Sequence, residues 1–494
     1  MASRRRSLNR REFLAALGGG VAAATAGCAL GTAKPAAEGE RPNFVIVFCD
    51  DLGYGDLSCF GSTTIQTPRL DRMAAEGMKF TDFYAAGPVC SPSRAALLTG
   101  RYPKRVGITG VLFPADKTGI KPRHRTIAEV LKTAGYATAC IGKWHVGHLP
   151  EFMPTRKGFD HFFGMPYSND MKPYPLVRGD KTVEEPADQD TLIERYTEDA
   201  VRFMTANKDR PFFLYFAHNM PHIPLHITER FKGKSKGGLY GDVVEAIDWS
   251  TGEVLDALVR LGIDKKTYVI FTSDNGPWLV KGKEGGSALP LRDGKGTTWD
   301  GGMREPCIAW GPGRVPAGKV CAEMALTMDL LPTLAKLGGA TLPGGYTLDG
   351  RDISPLMLGA EGAKTPHEAF FFYNGSRLEA VRSGPWKLIL FAAPPKDAEG
   401  DDAKPRPPQL YHLVEDIGEK KNVAPENPDV AARLRALAEK GVKDIGGSLG
   451  RSYPVKKKPA APTKAEAPKA DAPKAEMPKA DAPKSQEAKP DAAK

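Results

Sequence analysis

After residue 34 the sequence has no long uncharged apolar run, which excludes a protein that crosses the membrane many times. It holds only seven cysteines in 494 residues and no Cys-x-x-Cys pair, which excludes a small disulfide-stapled scaffold. It also lacks the polar bias of a disordered chain, since 41% of its residues are hydrophobic and 26% charged. Concentrated charge of one sign is missing from the body. The net charge is +10, but residues 1–34 carry +5 and residues 455–494 carry +4, leaving +1 for residues 35–454. A near-neutral body gives no bulk support for a polyanion groove, so no nucleic-acid partner is expected. What remains is a chain long enough for two or three domains with a sizeable core.

The two ends read as something other than fold. Asn9-Arg10-Arg11-Glu12-Phe13-Leu14 resembles a twin-arginine export motif, and a short uncharged stretch rich in Ala and Gly follows it. Thr25-Ala26-Gly27-Cys28 resembles a lipobox, with Thr25 where Leu is usual, so Cys28 is a candidate lipid anchor. Residues 1–34 are therefore expected to be a signal peptide handled by the twin-arginine machinery, with a periplasmic or envelope destination. From Ala467 the units APKAD, APKAE, MPKAD and APKSQ repeat every five residues. Proline fixes φ and the Lys, Asp and Glu side chains stay solvated, so residues 455–494 predict an extended tail without a core. Its deletion is expected to leave turnover intact.

The body alternates two patterns. Short β-rich apolar runs at Phe44–Phe48, Ala137–Ile141, Phe212–Phe216 and Tyr268–Thr272 fit strands buried on both faces. Helical patterns lie between them at Pro68–Glu76, Thr126–Thr133, Thr191–Ala206 and Tyr240–Leu261. This alternation predicts an α/β fold with a large central sheet, mostly parallel or mixed, flanked by helices. Beyond about residue 365 the pattern changes to short strands at Ala369–Tyr373, Leu378–Arg382, Trp386–Phe391 and Leu410–Leu413, then a helix at Pro428–Lys440. That reads as a smaller α+β subdomain over residues 365–445, after a catalytic domain over residues 42–364.

Each of the four apolar strands ends in residues suited to chemistry: Asp50-Asp51, Lys143 and His145, His218 and His222, and Asp274-Asn275. In open α/β sheets ligands bind beyond the carboxyl ends of strands. Asp50, Asp51, Asp274 and Asn275 offer oxygen ligands only, which suits Ca²⁺ or Mg²⁺ rather than zinc. Lys143, His145, His222, Lys295 and Arg94 supply positive charge and proton transfer, and can hold the oxygens of a sulfate or phosphate. His148, His218 and His226 lie near enough in sequence to compete for the histidine roles. Cys90 precedes Pro92, which fits the first turn of a helix, and Gly100 fits its end. That placement predicts either a low-pKa thiolate nucleophile or a buried structural cysteine. Cys49, Cys59, Cys140, Cys307 and Cys321 cannot all pair with one another, and Cys49 and Cys140 sit in strand-like runs.

Cys90-Ser91-Pro92-Ser93-Arg94, followed by AALLTGRYP, resembles the CxPxR signature of the type I sulfatases. Gly142-Lys143-Trp144-His145 resembles their second signature. CDDLGYGD from Cys49, PYSND from Pro166, SDNG from Ser273, GKGTTWDGGMREP from Gly294 and QLYHLVEDIGEKKNV from Gln409 follow in the same order. The resemblance spans roughly residues 42–445 and is nearest to the arylsulfatase A and galactosamine-6-sulfatase branch. It implies an alkaline phosphatase-like fold and hydrolysis of sulfate esters. It implies that Cys90 is oxidised to formylglycine by a maturation enzyme, and that the aldehyde hydrate attacks sulfur. It implies one Ca²⁺ held by Asp50, Asp51, Asp274, Asn275 and the modified Cys90. Arg94 and Lys143 would hold the hydrate, and His145 would take a proton from it. Lys295 and His222 would face the leaving oxygen, and Ser168, with Lys143 and Lys295, would contact the sulfate. A sulfated glycan is the expected substrate class, with aryl sulfates also turned over. A phosphonate or phosphodiester hydrolase of the same superfamily, and a catalytically silent envelope protein with an unmodified Cys90, are the competing readings.

Overall fold

The computed structural model describes residues 41–342, 344–390 and 407–449. The export motif, Cys28 and the Lys/Ala/Pro tail lie outside the described residues.

The central sheet contains β1 (Asn43–Cys49), β2 (Met78–Tyr84), β3 (Ala137–Gly142), β4 (His161–Gly164), β5 (Leu176–Arg178) and β6 (Lys181–Glu184). It continues with β7 (Phe212–Ala217), β8 (Thr267–Ser273), β9 (Arg304–Trp310), β10 (Lys319–Cys321) and β11 (Ala325–Leu326). The order is β10-β2-β9-β8-β1-β7-β3-β4-β5-β6, with β11 also on β2. The block β8-β1-β7-β3-β4 is parallel, whereas β9 runs antiparallel between β2 and β8, and β5 and β6 close the far edge antiparallel. The sheet is thus mixed, and all four expected apolar runs lie in its parallel centre.

Alternation along β1 shows why these runs are apolar throughout. Phe44, Ile46 and Phe48 join one core, while Val45, Val47 and Cys49 join the other. Each fully buried Val, Ile or Phe contributes about 1.5–3 kcal/mol. The first core is covered by α2 (Cys90–Thr99), α3 (Ile127–Lys132) and α6 (Leu330–Leu337), the second by α1 (Pro68–Glu76), α4 (Leu192–Ala206) and α5 (Gly238–Arg260). Local signals set the helix ends. Thr126 and Glu129 form a capping box at the start of α3, with Glu129 N donating to Thr126 Oγ1 at 3.1 Å and Thr126 N to Glu129 Oε2 at 2.9 Å. Gly100 ends α2 with φ of 64° and donates its N–H to Ala96 O at 2.9 Å.

The second sheet has β12 (Phe370–Asn374), β13 (Arg377–Ser383), β14 (Trp386–Ile389) and β15 (Gln409–His412) in antiparallel order, with β16 (Ser448–Leu449) added parallel to β13. Helix α7 (Pro428–Ile445) runs five residues past its expected end and packs Leu434, Ala438 and Ile445 on this sheet. β14 ends at Ile389, and Phe391 lies outside the described residues.

The two sheets meet through buried charge. Lys387 Nζ donates to Asp300 Oδ1 at 2.7 Å and Glu419 Oε1 lies 2.8 Å away, with all three side chains fully buried. Arg304 and Arg382 both pair with Asp82, and Tyr84 donates to Asp300 Oδ2 at 2.8 Å. Burial pushes Glu419 up, as does neighbouring Asp300. Burial also acts to raise Asp300, but Lys387, Arg304 and Arg382 outweigh it and hold Asp300 low. Lys387→Met strips the cation from two buried carboxyls. It is expected to cost about 3–5 kcal/mol, read as a large fall in denaturant midpoint. An unchanged midpoint would refute the assignment of this pair as the bond between the sheets.

Candidate active site

Because β8, β1, β7 and β3 are parallel neighbours, their carboxyl ends open on one edge. Asp274 and Asn275 leave β8, Asp50 and Asp51 leave β1, His218 and His222 follow β7, and Lys143 and His145 follow β3. Helix α2 points its first residue, Cys90, at the same place, and carries Arg94 one turn further on.

The exits from the strands need unusual backbone. Asp51 and His145 have φ of 64° and 59°, in the left-handed region that side-chain-bearing residues seldom occupy. Gly142 has φ of +108°, and a Cβ there would lie 1.8 Å from Ala217 O. Only glycine lets β3 close on β7 at this point, where Lys143 N donates to Ala217 O at 2.6 Å.

The charged groups interlock with almost no exposure. Arg94 donates to Asp274 Oδ2 from Nε at 2.9 Å, and its Nη2 lies 3.6 Å from Asp50 Oδ1. Lys143 Nζ pairs with Asp50 and also donates to Ser168 Oγ at 3.0 Å. Lys295 Nζ donates to Asp51 Oδ2 at 2.7 Å, and Asn275 Nδ2 to Asp51 Oδ1 at 2.7 Å. The Asp51 N–H donates to Asp274 Oδ1 at 3.2 Å. Burial acts to raise Asp50, but Lys143, His222, Arg94 and Lys295 together hold it well below the usual carboxylate range. Burial and the adjacent Asp50 push Asp274 up.

Asp50, Asp51 and Asp274 each present a carboxylate oxygen within 4.8 Å of the others. Asp50 Oδ1 and Asn275 Oδ1 are buried and accept no hydrogen bond. Unpartnered buried oxygens are costly unless something else satisfies them. An all-oxygen donor set with two open acceptors fits a hard divalent cation.

The histidines separate clearly. His145 Nε2 lies 2.8 Å from Leu112 O, a partner that requires N–H on Nε2. Its Nδ1 is buried, unpartnered and left with a lone pair. Burial first, then Lys143, holds His145 well below its ordinary value, so it is neutral. His222 Nδ1 lies 2.5 Å from Ile223 O, and its Nε2 lies 3.6 Å from Asp51 Oδ2. Burial draws His222 down, against Asp51 and Asp50. His218 lies tilted against the Phe216 ring at 4.4 Å and faces Ser250 Oγ, His226 pairs with Asp190, and His148 meets Tyr167 edge-on. Those three do not touch the charged cluster.

Cys90 is 2% exposed, and burial pushes its thiol up to about 11 in spite of Lys143 and Lys295. Of the two readings left open for Cys90, its burial favours the buried cysteine over the low-pKa thiolate. Desolvation outweighs the helix end and the two lysines. All six described cysteines, including Cys49, Cys59, Cys140, Cys307 and Cys321, are free thiols.

Two contributors escaped the sequence. The Leu112 carbonyl, which fixes the tautomer of His145, comes from a loop with no motif. Trp278 has its ring 5.5 Å from His222 and 4.3 Å from Lys295 Nζ. The one available signal was an aromatic residue two positions after Gly276 in the SDNG segment.

A sheet edge carrying a buried oxygen cluster, three cations and a neutral histidine around one residue at a helix start defines a hydrolase of anionic esters. Comparison with known proteins narrows this class. The family model Sulfatase matches residues 42–340, and the model for the C-terminal region of aryl-sulfatase matches residues 365–456. Arylsulfatase A of Homo sapiens is 41% identical over 443 residues, covering 80% of this chain and 87% of that protein. N-acetylgalactosamine-6-sulfatase of Rattus norvegicus is 39% identical over 455 residues, covering 82% and 86%. A solved structure of Ps i-CgsB in complex with k-i-k-neocarrahexaose superposes with a TM-score of 0.71 at 31% identity, covering 82% of this chain and 94% of that one. The chain belongs to the sulfatase family and is a sulfuric ester hydrolase.

Proposed function

We propose that this protein hydrolyses sulfate monoesters of carbohydrates, and aryl sulfates as well, with a formylglycine made from Cys90 and one Ca²⁺. The observation that carries this reading is the buried, under-satisfied oxygen cluster beside the first residue of α2. In this reading Asp50, Asp51, Asp274 and Asn275 hold the cation together with the modified residue 90. The cation supplies Lewis acidity toward a sulfate oxygen, and the formylglycine hydrate supplies the attacking hydroxyl.

The chain's own groups do the rest. The carboxylates of Asp50, Asp51 and Asp274 are matched by Arg94, Lys143 and Lys295. A divalent ion added to that balanced set leaves net positive charge, which suits an anionic ester. Lys143 bridges Asp50 and Ser168, so it can hold both the group at residue 90 and a sulfate oxygen. Arg94, locked to Asp274, orients the same end of the site. The free Nδ1 lone pair of neutral His145 is available to take a proton from the hydrate. His222 and Lys295 share Asp51 and face the leaving oxygen. The donor role of His222 requires a proton on Nε2, which Asp51 favours and burial opposes.

Residues 42–364 form the catalytic domain in this reading and residues 365–445 the C-terminal subdomain. Residues 1–34 direct twin-arginine export to the periplasm or cell envelope, with Cys28 a site for lipid attachment. Among the described residues no helix is long and apolar enough to cross a membrane. A formylglycine-generating enzyme matures Cys90.

The test is mass spectrometry of the tryptic peptide Phe80–Arg94 from protein made in its native host, joined to rates on matched sulfate and phosphate esters. An aldehyde at residue 90 and a preference for sulfate are expected. An unmodified thiol in an active preparation would overturn the mechanism. A preference for phosphonate or phosphodiester would overturn the substrate class.

A further inference from the structure

We infer that the leaving-group side of the site is built for a saccharide that carries a second anionic group, with its ring beside Trp278 and its extra charge on Lys281. This rests on the sulfatase reading above. Trp278 is half-buried and bridges the interior to the surface. On the inner side its ring meets His222 and Lys295, the two groups that face the leaving oxygen. Lys281 Nζ lies 4.4 Å from the centroid of the same ring, and its side chain is exposed. Among the described residues no carboxylate pairs with Lys281.

The arrangement is held by backbone. Lys295 N donates to Pro277 O at 2.9 Å, which staples the two loop segments beside Trp278. Lys281 N donates to Trp278 O at 2.9 Å, in a helical turn that begins at Leu279 and is broken by a kink at Gly282. A Cβ on Gly285 would lie 2.4 Å from Trp278 O, so the loop closes only with glycine there. Lys281, Lys283 and Glu284 together leave this segment with net positive charge. Of its two lysines, Lys281 is the one that lies over the Trp278 ring.

Lys295 is committed to Asp51, whereas Lys281 is attracted only by the indole face. Two ammonium groups on one ring repel each other, and an anion between or beside them removes that repulsion. Leu279 and Val280 are 39% and 76% exposed and give the rim an apolar side, which matches the C–H face of a sugar ring. A neutral aryl alcohol would use the indole but leave Lys281 without a counter-charge. A saccharide with a sulfate or carboxylate next to the scissile ester would use both.

The experiment compares the wild type and Lys281→Ala on three probes: p-nitrophenyl sulfate, a monosulfated disaccharide, and the same disaccharide bearing a second sulfate. The expected result is a fall of about fivefold in kcat/KM on the disulfated probe, mainly through KM, consistent with loss of one exposed ion pair. The other two rates stay unchanged. The wild-type preference for the disulfated probe should shrink as salt is raised, and the variant should show little salt dependence. Equal loss on all three probes, or no loss on the disulfated one, would overturn the inference while leaving the sulfatase reading standing. A wild type that turns over none of the three would overturn the sulfatase reading, and this inference with it.

Discussion

Cys90→Ala is expected to lower kcat on an aryl sulfate by about 10⁴-fold or more, the scale seen when a covalent nucleophile is removed. The fold should survive. Cys90 is a small, fully buried side chain at the first position of α2, and alanine fills most of its volume without leaving a polar group unpaired. A thermal midpoint within a few degrees of the wild type separates loss of chemistry from loss of structure. Cys90→Ser sharpens the result: an unoxidised serine offers one hydroxyl to attack sulfur but lacks the second hydroxyl of the hydrate, so the sulfate ester it forms has no built-in route of release. Substantial turnover by the alanine variant would sink the nucleophile assignment, and attention would shift to a water activated by the cation.

Asp274→Asn should lower both bound Ca²⁺ and kcat/KM by about 10²-fold, within the range for loss of a well-placed ligand or electrostatic partner. Asp274 does two things at once. It offers an oxygen to the cation cluster, and it accepts from Arg94 Nε and Nη2 at 2.9 and 2.8 Å. The alanine variant would leave Arg94 a buried, poorly compensated cation at a cost of about 3–5 kcal/mol, so weak activity there could reflect unfolding. Asparagine keeps the shape and an acceptor oxygen while removing the charge. Metal content by elemental analysis, measured beside the thermal midpoint, tells the two apart. Excess Ca²⁺ should restore part of the rate in the asparagine variant. Full metal occupancy with an unchanged rate would remove Asp274 from the ligand set.

β1, β3, β7 and β8 were legible because a strand buried on both faces is apolar at nearly every position. Phe44-Val45-Ile46-Val47-Phe48 is short and entirely β-branched or aromatic, which favours a strand over a buried helix. Neighbouring β2 and β9 were not legible. Met78-Lys79-Phe80-Thr81-Asp82 and Arg304-Glu305-Pro306 carry charges and a proline that read as loop. Asp82 and Arg304 can be buried because they pair with each other and Arg382 comes from β13 to join them. No local pattern announces a partner hundreds of residues away. The antiparallel insertion of β9, which makes the sheet mixed, was hidden for the same reason.

The residue types at the site were set by the sequence alone: an acidic pair after one strand, an Asp-Asn pair after a second, lysine and histidine after a third, and a cysteine at a helix start. Those types already limit the chemistry to a hard cation and an anionic substrate, because the donors are oxygens and the remaining groups are cations. The tertiary structure decided which of them act together. Parallel packing in the order β8-β1-β7-β3 brings four sequence-distant strand ends to one edge. It selects His222 over His218 and His226, since only its imidazole reaches Asp51. It leaves Nδ1 of His145 free by giving Nε2 to Leu112, and it seals Cys90 so that its thiol is pushed up rather than down. It also folds Trp278 onto His222 and Lys295. Composition and spacing fix what each side chain can do; distance and burial, which depend on residues far apart in the chain, fix its charge and its partner.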